Sequence, residues 1–410
     1  MLKSRFNMRI AGLAAMLFLG LAIVVAVYVR SIPIDVILPA HQCKIAHSSV
    51  QDRITCWHNI IAREMARSGI PAAISAFTQI YRTFPEFADS GCHFQAHQVG
   101  DLAYYSYFVA EGLALSDIEF PESTASCGNG FFHGFLEHLI ESKPTAEAIY
   151  SECEELIAKQ EHVNPRIRIA CYHASGHGLA RAELDYTYGK PITDVQAFVA
   201  RPLAECERIT ETKFIERRNC SQGVLNVVVN WMSLEKYGLS ISREKPFGVC
   251  SELFRGSTYY DQCLVEISRK IDGLSSQNPD VILSFLDTLS ISEELRKELL
   301  RTAITGVIQH MVGDGDPLEV FKQCNHFTEK DRGACQAGIV TGLILNGSPR
   351  SEMRSVTKFC RADMVFLHGD PSECWRTAGG VLAEFYSLEA LRNMCRDLSK
   401  RECSLFLREA

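Results

Sequence analysis

The sequence predicts an all-α fold. We expect a disulfide-clipped array of helix pairs, of the α-solenoid or toroid-like type, behind one N-terminal transmembrane helix. Three observations predict this architecture: an uncharged apolar run near the N-terminus, sixteen cysteines at short and regular spacing, and apolar residues that recur at intervals of three and four. At 410 residues the chain is longer than most single domains, which favours two domains or a repeat array.

The apolar run at residues 10–29 is long enough to cross a bilayer as a helix. Three basic residues precede it and one follows it directly, so the positive-inside rule places the N-terminus in the cytoplasm. The bulk of this single-pass membrane protein would then be extracytoplasmic, in a periplasm, a lumen or the cell exterior. The alternative is a cleaved signal peptide, although no convincing small-residue cleavage site follows the run. We therefore predict a cytoplasmic tail at 1–9, a transmembrane anchor at 10–29 and a linker at 30–42.

The cysteines form consecutive pairs along the chain. An even number of cysteines beyond a membrane anchor is typical of a disulfide framework in an oxidising compartment. Zinc clusters would more often show CxxC pairs, and the sequence contains none. We predict eight sequential disulfides: 43–56, 92–127, 153–171, 206–220, 250–263, 324–335, 360–374 and 395–403.

Small residues follow the second cysteine of several pairs at fixed offsets. Gly130 and Gly134 follow Cys127, for example, and lie four residues apart on one helix face. Glycine in a helix costs about 1 kcal/mol relative to alanine, so its recurrence indicates a close approach of neighbouring helices.

Between the cysteines, the apolar spacing predicts helices, and the β-branched run 224–229 is interpreted as a buried helix. The irregular spacing of the pairs leaves an alternative open, an irregular disulfide-rich helical domain. We divide the chain beyond the linker into His-rich helical repeats at 43–190 and further disulfide-linked helical repeats at 191–410. The clearest predicted helices are 53–68, 70–84, 146–160, 194–209, 281–290 and 292–311.

The histidines are concentrated in the first of these two regions. Seven of the thirteen lie between residues 93 and 177. His133 and His177 each follow their cysteine by six residues, and His97 follows its cysteine by five, so equivalent positions of an array would share one surface. Residues one helical turn apart share a face and can hold one metal ion. The predicted ligands of this site are His97, His133, Glu137, His173 and His177, and the metal is zinc, copper or iron.

Two classes of function fit this pattern. A metal site with an open position could be catalytic, hydrolytic or oxidative, with Glu137 and His133 as the catalytic pair and Asp101 or Glu183 as other candidate bases. Alternatively, the chain is a non-catalytic scaffold or assembly factor whose concave face binds a protein or peptide, and the histidines are structural. The formal net charge of −7 argues against a nucleic-acid partner. P-loop, GxSxG and dinucleotide-binding motifs are absent from the sequence.

Overall fold

A computed structural model describes residues 34–89, 91–186, 190–209, 214–309, 311, 316–347, 349 and 351–409. These residues form helices and connecting segments, without a β-strand among them. The chain divides into two compact units, residues 1–60 and residues 61–410. The all-α prediction is therefore confirmed over the described part of the chain.

The described residues contain twenty α-helices, a π-helix at Tyr104–Ala110 and three short 3₁₀ segments. The α-helices are α1 (Ile34–Ala46), α2 (Val50–Thr83), α3 (Pro85–Ala88), α4 (Cys92–Ala103), α5 (Gly130–Glu141), α6 (Ala146–Gln160), α7 (Ile167–Tyr186), α8 (Val195–Arg208), α9 (Phe214–Ser233), α10 (Gly248–Phe254), α11 (Tyr260–Ser268), α12 (Pro279–Leu286), α13 (Glu293–Gln309), α14 (Pro317–Gln323), α15 (Glu329–Asn346), α16 (Glu352–Cys360), α17 (Asp363–His368), α18 (Pro371–Leu382), α19 (Leu388–Met394) and α20 (Lys400–Phe406).

Helix ends follow local capping chemistry. The side chain of Thr145 accepts a hydrogen bond from the backbone N–H of Ala148 at the start of α6, and Asp194 caps α8 in the same way. α6 begins and ends where the sequence predicts. α2 joins the two predicted helices 53–68 and 70–84, and its one non-helical residue is Gly69, whose φ of 80° requires glycine.

In the first unit, α1 covers most of the segment expected to be a linker at 30–42. The indole nitrogen of Trp57 donates to the Ala40 carbonyl at 2.9 Å, and Cys43 is bonded to Cys56. Trp57 and Ala40 are fully buried. A buried tryptophan contact and a disulfide thus hold much of the predicted linker as helix α1.

In the second unit, one set of helices packs in chain order, each against the next. This set comprises α4, α5, α7, α9, α11, α13, α15, α18 and α20, and α15 also contacts α4. Glycines permit the close approach, as the spacing after the second cysteines predicts: a Cβ at Gly134 would lie 2.0 Å from the His97 carbonyl oxygen. Gly130 meets the His93 carbonyl in the same manner, so α4 and α5 run parallel. The predicted division at 190/191 stays a prediction, and the extensive contact of α7 with α9 crosses it.

All sixteen cysteines are paired, and every bond joins the partners predicted from sequential spacing. The 35-residue bond Cys92–Cys127 is among them and joins the start of α4 to the segment before α5. Eight disulfides indicate an oxidising, extracytoplasmic compartment.

The predicted anchor at 10–29, together with the cytoplasmic tail at 1–9, lies outside the described residues. Within the part of the chain that is described, none of the helices combines the length and apolar character needed to cross a bilayer. The repeat character of the array and its concave face remain predictions from the sequence.

Candidate metal centre

Three adjacent helices bring a carboxylate and two imidazoles together. His97 lies on α4, Glu137 on α5 and His177 on α7. The helices meet here because glycines face neighbouring backbone: besides Gly134 against His97, a Cβ at Gly178 would lie 2.5 Å from the Glu137 carbonyl oxygen. Side chains of ordinary size on these faces would separate the helices and the groups they carry.

Glu137 stands at the centre of this group. Its Oε2 accepts hydrogen bonds from His97 Nε2 and His177 Nδ1, each at 3.1 Å. Its Oε1 pairs with the guanidinium of Arg181 at 2.7 Å. Glu137 is only 4% exposed, and its carboxylate accepts from three donors. A buried charge requires such partners.

One ligand atom from each of His97, Glu137 and His177 lies within 4.8 Å of the other two. Two imidazole nitrogens and one carboxylate oxygen form a donor set that suits zinc, copper or iron. The His/Glu cluster can therefore bind a metal ion, and the same atoms also satisfy one another as a charge network without one.

The pKa values reflect this network. Burial lowers the pKa of His97, but the carboxylates of Asp101 and Glu137 outweigh burial and raise it to about 10. Burial raises the pKa of Glu137, but hydrogen bonds from His177 and His97 hold it well below its usual range. Without a metal, His97 is thus a cation and Glu137 an anion at neutral pH.

A second layer of polar groups holds the first. His97 Nδ1 lies 3.4 Å from Oδ1 of Asp101, which also lies 3.6 Å from Nε2 of His138. His138 Nδ1 bonds Glu141 at 2.9 Å, and Glu141 lies 3.3 Å from Nε of Arg181. A carboxylate behind a ligating histidine fixes its tautomer and raises its basicity.

The other predicted ligands lie beside this group. The His133 ring centroid is 5.5 Å from that of His177 and 5.3 Å from that of His173, and the rings of His173 and His177 are 4.9 Å apart. His133 Nδ1 is 3.1 Å from Nε2 of His93, whose Nδ1 is 2.9 Å from the Cys127 carbonyl oxygen. His133 and His173 thus lie next to His177, but they make no hydrogen bond to Glu137 among the described residues and are not part of the group whose ligand atoms converge. A single site of all five residues stays a prediction.

Burial and neighbouring imidazoles govern the charge of this second group. Burial, followed by the positive charge of His97, lowers the pKa of His93 to about 3. Burial and nearby histidines likewise hold the pKa of His133 and that of His173 well below the usual range. All three rings are therefore neutral and offer lone pairs at physiological pH.

The predicted set of site residues leaves out two members of the cluster, Arg181 and His93. Arg181 follows His177 by one helical turn, the same spacing that links Glu137 to His133, so its position was available as a signal. His93 stands in the same relation to His97. Of the two other candidate bases, Asp101 lies behind His97, whereas Glu183 pairs with Arg201 at 2.5 Å.

Comparison with known proteins gives no further guide to this site, because no protein-family model matches the chain and no curated protein or solved structure gives a significant match.

Proposed function

We propose that this chain is a membrane-anchored extracytoplasmic metalloprotein, in which His97, Glu137 and His177 hold a divalent transition metal. The observation that carries the proposal is the convergence of three ligand atoms from three helices within 4.8 Å. Disulfides restrain the helices that bear these atoms. Cys92 begins α4 and is bonded to Cys127 before α5, and Cys171 in α7 is bonded to Cys153. A site held by disulfides and buried second-layer contacts is preorganised for an ion.

The proposed environment rests on two further features. The sequence supplies the anchor, residues 10–29, and the disulfides fit an extracytoplasmic location. We propose that the helix pairs of residues 61–410 form a closed array. Supporting this, α15 contacts α4, the Tyr81 hydroxyl donates to the Asn346 carbonyl at 2.9 Å, and Arg166 pairs with Glu384 at 2.6 Å.

Catalysis is the finer part of the proposal. A bound ion would supply Lewis acidity, or oxygen chemistry if it is iron or copper. The three donors on Glu137 favour a ligand role for this carboxylate over that of a free base. The half-buried His133 is neutral and hydrogen-bonded to His93, which suits it to hold or pass a proton beside the ion.

Metal analysis of purified chain tests the proposal. We expect the wild type to retain at least one zinc, copper or iron ion per chain and Glu137→Gln to lose the ion held at Glu137, because an amide is a much poorer ligand. Glu183→Gln is the matched control, since this carboxylate lies on the ligand helix α7 but pairs with Arg201. A wild-type protein that stays metal-free after reconstitution would refute a site at Glu137. An equal loss of metal in Glu137→Gln and Glu183→Gln would refute it as well.

A second candidate function, the protein-binding scaffold, has one observation in its favour. Phe366 and Leu367 on α17 are 65% and 76% exposed, and adjacent exposed apolar side chains are typical of binding surfaces. If the scaffold is the function, replacing both by serine abolishes partner capture, whereas Glu137→Gln leaves it intact.

A further inference from the structure

The imidazole of His177, a ligand of the proposed site, forms a triangle with two neighbouring imidazoles. The centroids of His133, His173 and His177 are separated by 5.3, 5.5 and 4.9 Å. Two imidazoles that share a tetrahedral zinc ion, with Zn–N of about 2.0–2.1 Å, have centroids about 5 Å apart. The centroid spacing is therefore that of three ligands of one ion, although the ring nitrogens do not yet converge: among the described residues, His97, Glu137 and His177 are the group whose ligand atoms lie within 4.8 Å of one another. Binding of an ion would have to rotate these rings about their Cβ–Cγ bonds.

Hydrogen bonds fix which nitrogen of two of these rings is free to bind. The Cys127 carbonyl can only accept, so His93 Nδ1 donates to it and His93 Nε2 accepts from Nδ1 of His133. A neutral His133 therefore carries its lone pair on Nε2. This arrangement, with one ring nitrogen held and the other bare, is the usual state of a metal-ligating histidine.

His177 supplies an independent observation. It is only 6% exposed, its Nδ1 is held by Glu137, and among the described residues its Nε2 is buried with no hydrogen-bond partner. An unsatisfied buried nitrogen is costly and calls for a ligand. The His177 ring lies beside those of His173 and His133, with centroids 4.9 and 5.5 Å away.

Resting on the proposed function, we propose that His133, His173 and the Nε2 of His177 form a second metal site, so that the centre is dinuclear. The site takes a borderline transition-metal ion such as zinc, because three neutral imidazoles favour such ions over calcium or magnesium. His177 bridges both ions as an imidazolate. When both sites fill, its Nδ1 proton leaves to solvent, the first ion binds Nδ1 and the second binds Nε2.

His97 in the first site and His133 and His173 in the second are half-buried, whereas Glu137 and His177 are buried. With three protein ligands, a tetrahedral ion at the triangle would keep one coordination position for water or another small ligand.

Zinc stoichiometry of the full chain tests the proposal. After removal of metal and titration with zinc alone, we expect about two ions per wild-type chain, one in His173→Gln or His133→Gln, and one in Glu137→Gln. His326→Gln is the control, because this exposed histidine pairs with Asp280 on other elements and should leave both ions in place. Circular dichroism and disulfide mapping establish that each variant folds.

The outcomes separate this proposal from the one it rests on. One ion per chain that is lost in Glu137→Gln and kept in His173→Gln overturns the second site and leaves the first. One ion per chain that is lost on replacing His133 or His173 but kept on replacing His97 supports the three-imidazole site and overturns the site at His97, Glu137 and His177. Absence of bound zinc from the folded wild type overturns both. As a second measurement, cobalt substitution should give two distinct tetrahedral absorption spectra, and a single spectrum in the wild type would contradict a dinuclear centre.

Discussion

At the scale of single residues, Asp101 helps to set the pKa of His97. Its carboxylate lies behind the ring and, with Glu137, raises the pKa of His97 to about 10. We predict that Asp101→Asn lowers this pKa toward 6.5 and weakens zinc binding by about 10- to 100-fold, because the ligand loses its orienting partner. NMR titration of the metal-free protein and competition with a chelator measure the two effects.

A matched control is Asp280→Asn, which removes the carboxylate from the exposed histidine His326. Solvent screens that pair, so zinc affinity should not change. An unaltered His97 pKa in Asp101→Asn would contradict the assigned cause.

The same pKa values predict how stability of the metal-free protein depends on pH. The folded-state pKa of His97 is raised above its unfolded value, so its contribution is complete below about pH 6.5 and is lost as pH rises toward 10. Glu137 has the opposite shift, and its contribution is lost on acidification below its unfolded pKa. We therefore expect His97→Gln to flatten the decline in unfolding free energy between about pH 6.5 and 10, as urea denaturation at several pH values would show. An unchanged slope would mean that His97 is neutral in the folded protein.

Much of the side-chain cluster can be predicted from the helical spacing of its titratable residues. Intervals of four bring Glu137 beside His133 and His173 beside His177, and the rings of the three histidines do lie together. The spacing cannot say which side chain faces which neighbour, because that depends on how α4, α5 and α7 are rotated. Hence the structure directs His97 and His177 onto Glu137, while His133 bonds His93 instead.

At the scale of elements, glycine sets the distance between helices. In Gly134→Ala the new Cβ would meet the His97 carbonyl oxygen at 2.0 Å, so α4 and α5 must move apart. We expect a loss of about 1–3 kcal/mol in unfolding free energy together with weaker zinc binding. Chemical denaturation and zinc titration measure these changes.

Gly333→Ala is the control, because Gly333 lies in α15 and no neighbouring atom of the described residues would come within 4 Å of an alanine methyl group there. Alanine should stabilise the protein at this position by up to about 1 kcal/mol, since only its helix propensity counts. Equal effects at both positions would mean that close packing of α4 and α5 is not what Gly134 provides.

Helices are predictable from the sequence where caps and apolar periodicity agree, as in α6 after Thr145. The π-helix at Tyr104–Ala110 is not, since its seven residues carry no period of their own. Tyr104 is buried there and stacks on His138 with ring centroids 5.5 Å apart. Tertiary contacts rather than local propensity explain this π-helix, so local sequence patterns do not predict it.

At the scale of the whole molecule, disulfides restrict the unfolded chain according to the loops they close. We predict that replacing Cys92 and Cys127 by alanine costs about 3–4 kcal/mol, and replacing Cys395 and Cys403 costs about 2–3 kcal/mol, because the loops span 35 and 8 residues. Guanidinium denaturation of both double variants provides the comparison. The reverse ranking would show that the bonds act mainly through the folded state.

The last prediction tests the proposed closure of the array. Tyr81 at the end of α2 donates its hydroxyl to the carbonyl of Asn346, which ends α15 and lies 265 residues further along the chain. Both residues are buried, so Tyr81→Phe leaves the carbonyl without this donor at a cost of about 1–3 kcal/mol. If the array is closed, hydrogen exchange should quicken at the C-terminal end of α15 as well as in α2. Thr78→Val is the control, because the Thr78 hydroxyl donates within α2, to the Ile74 carbonyl. Exchange that quickens in α2 alone in both variants would mean that the two ends of the array unfold independently.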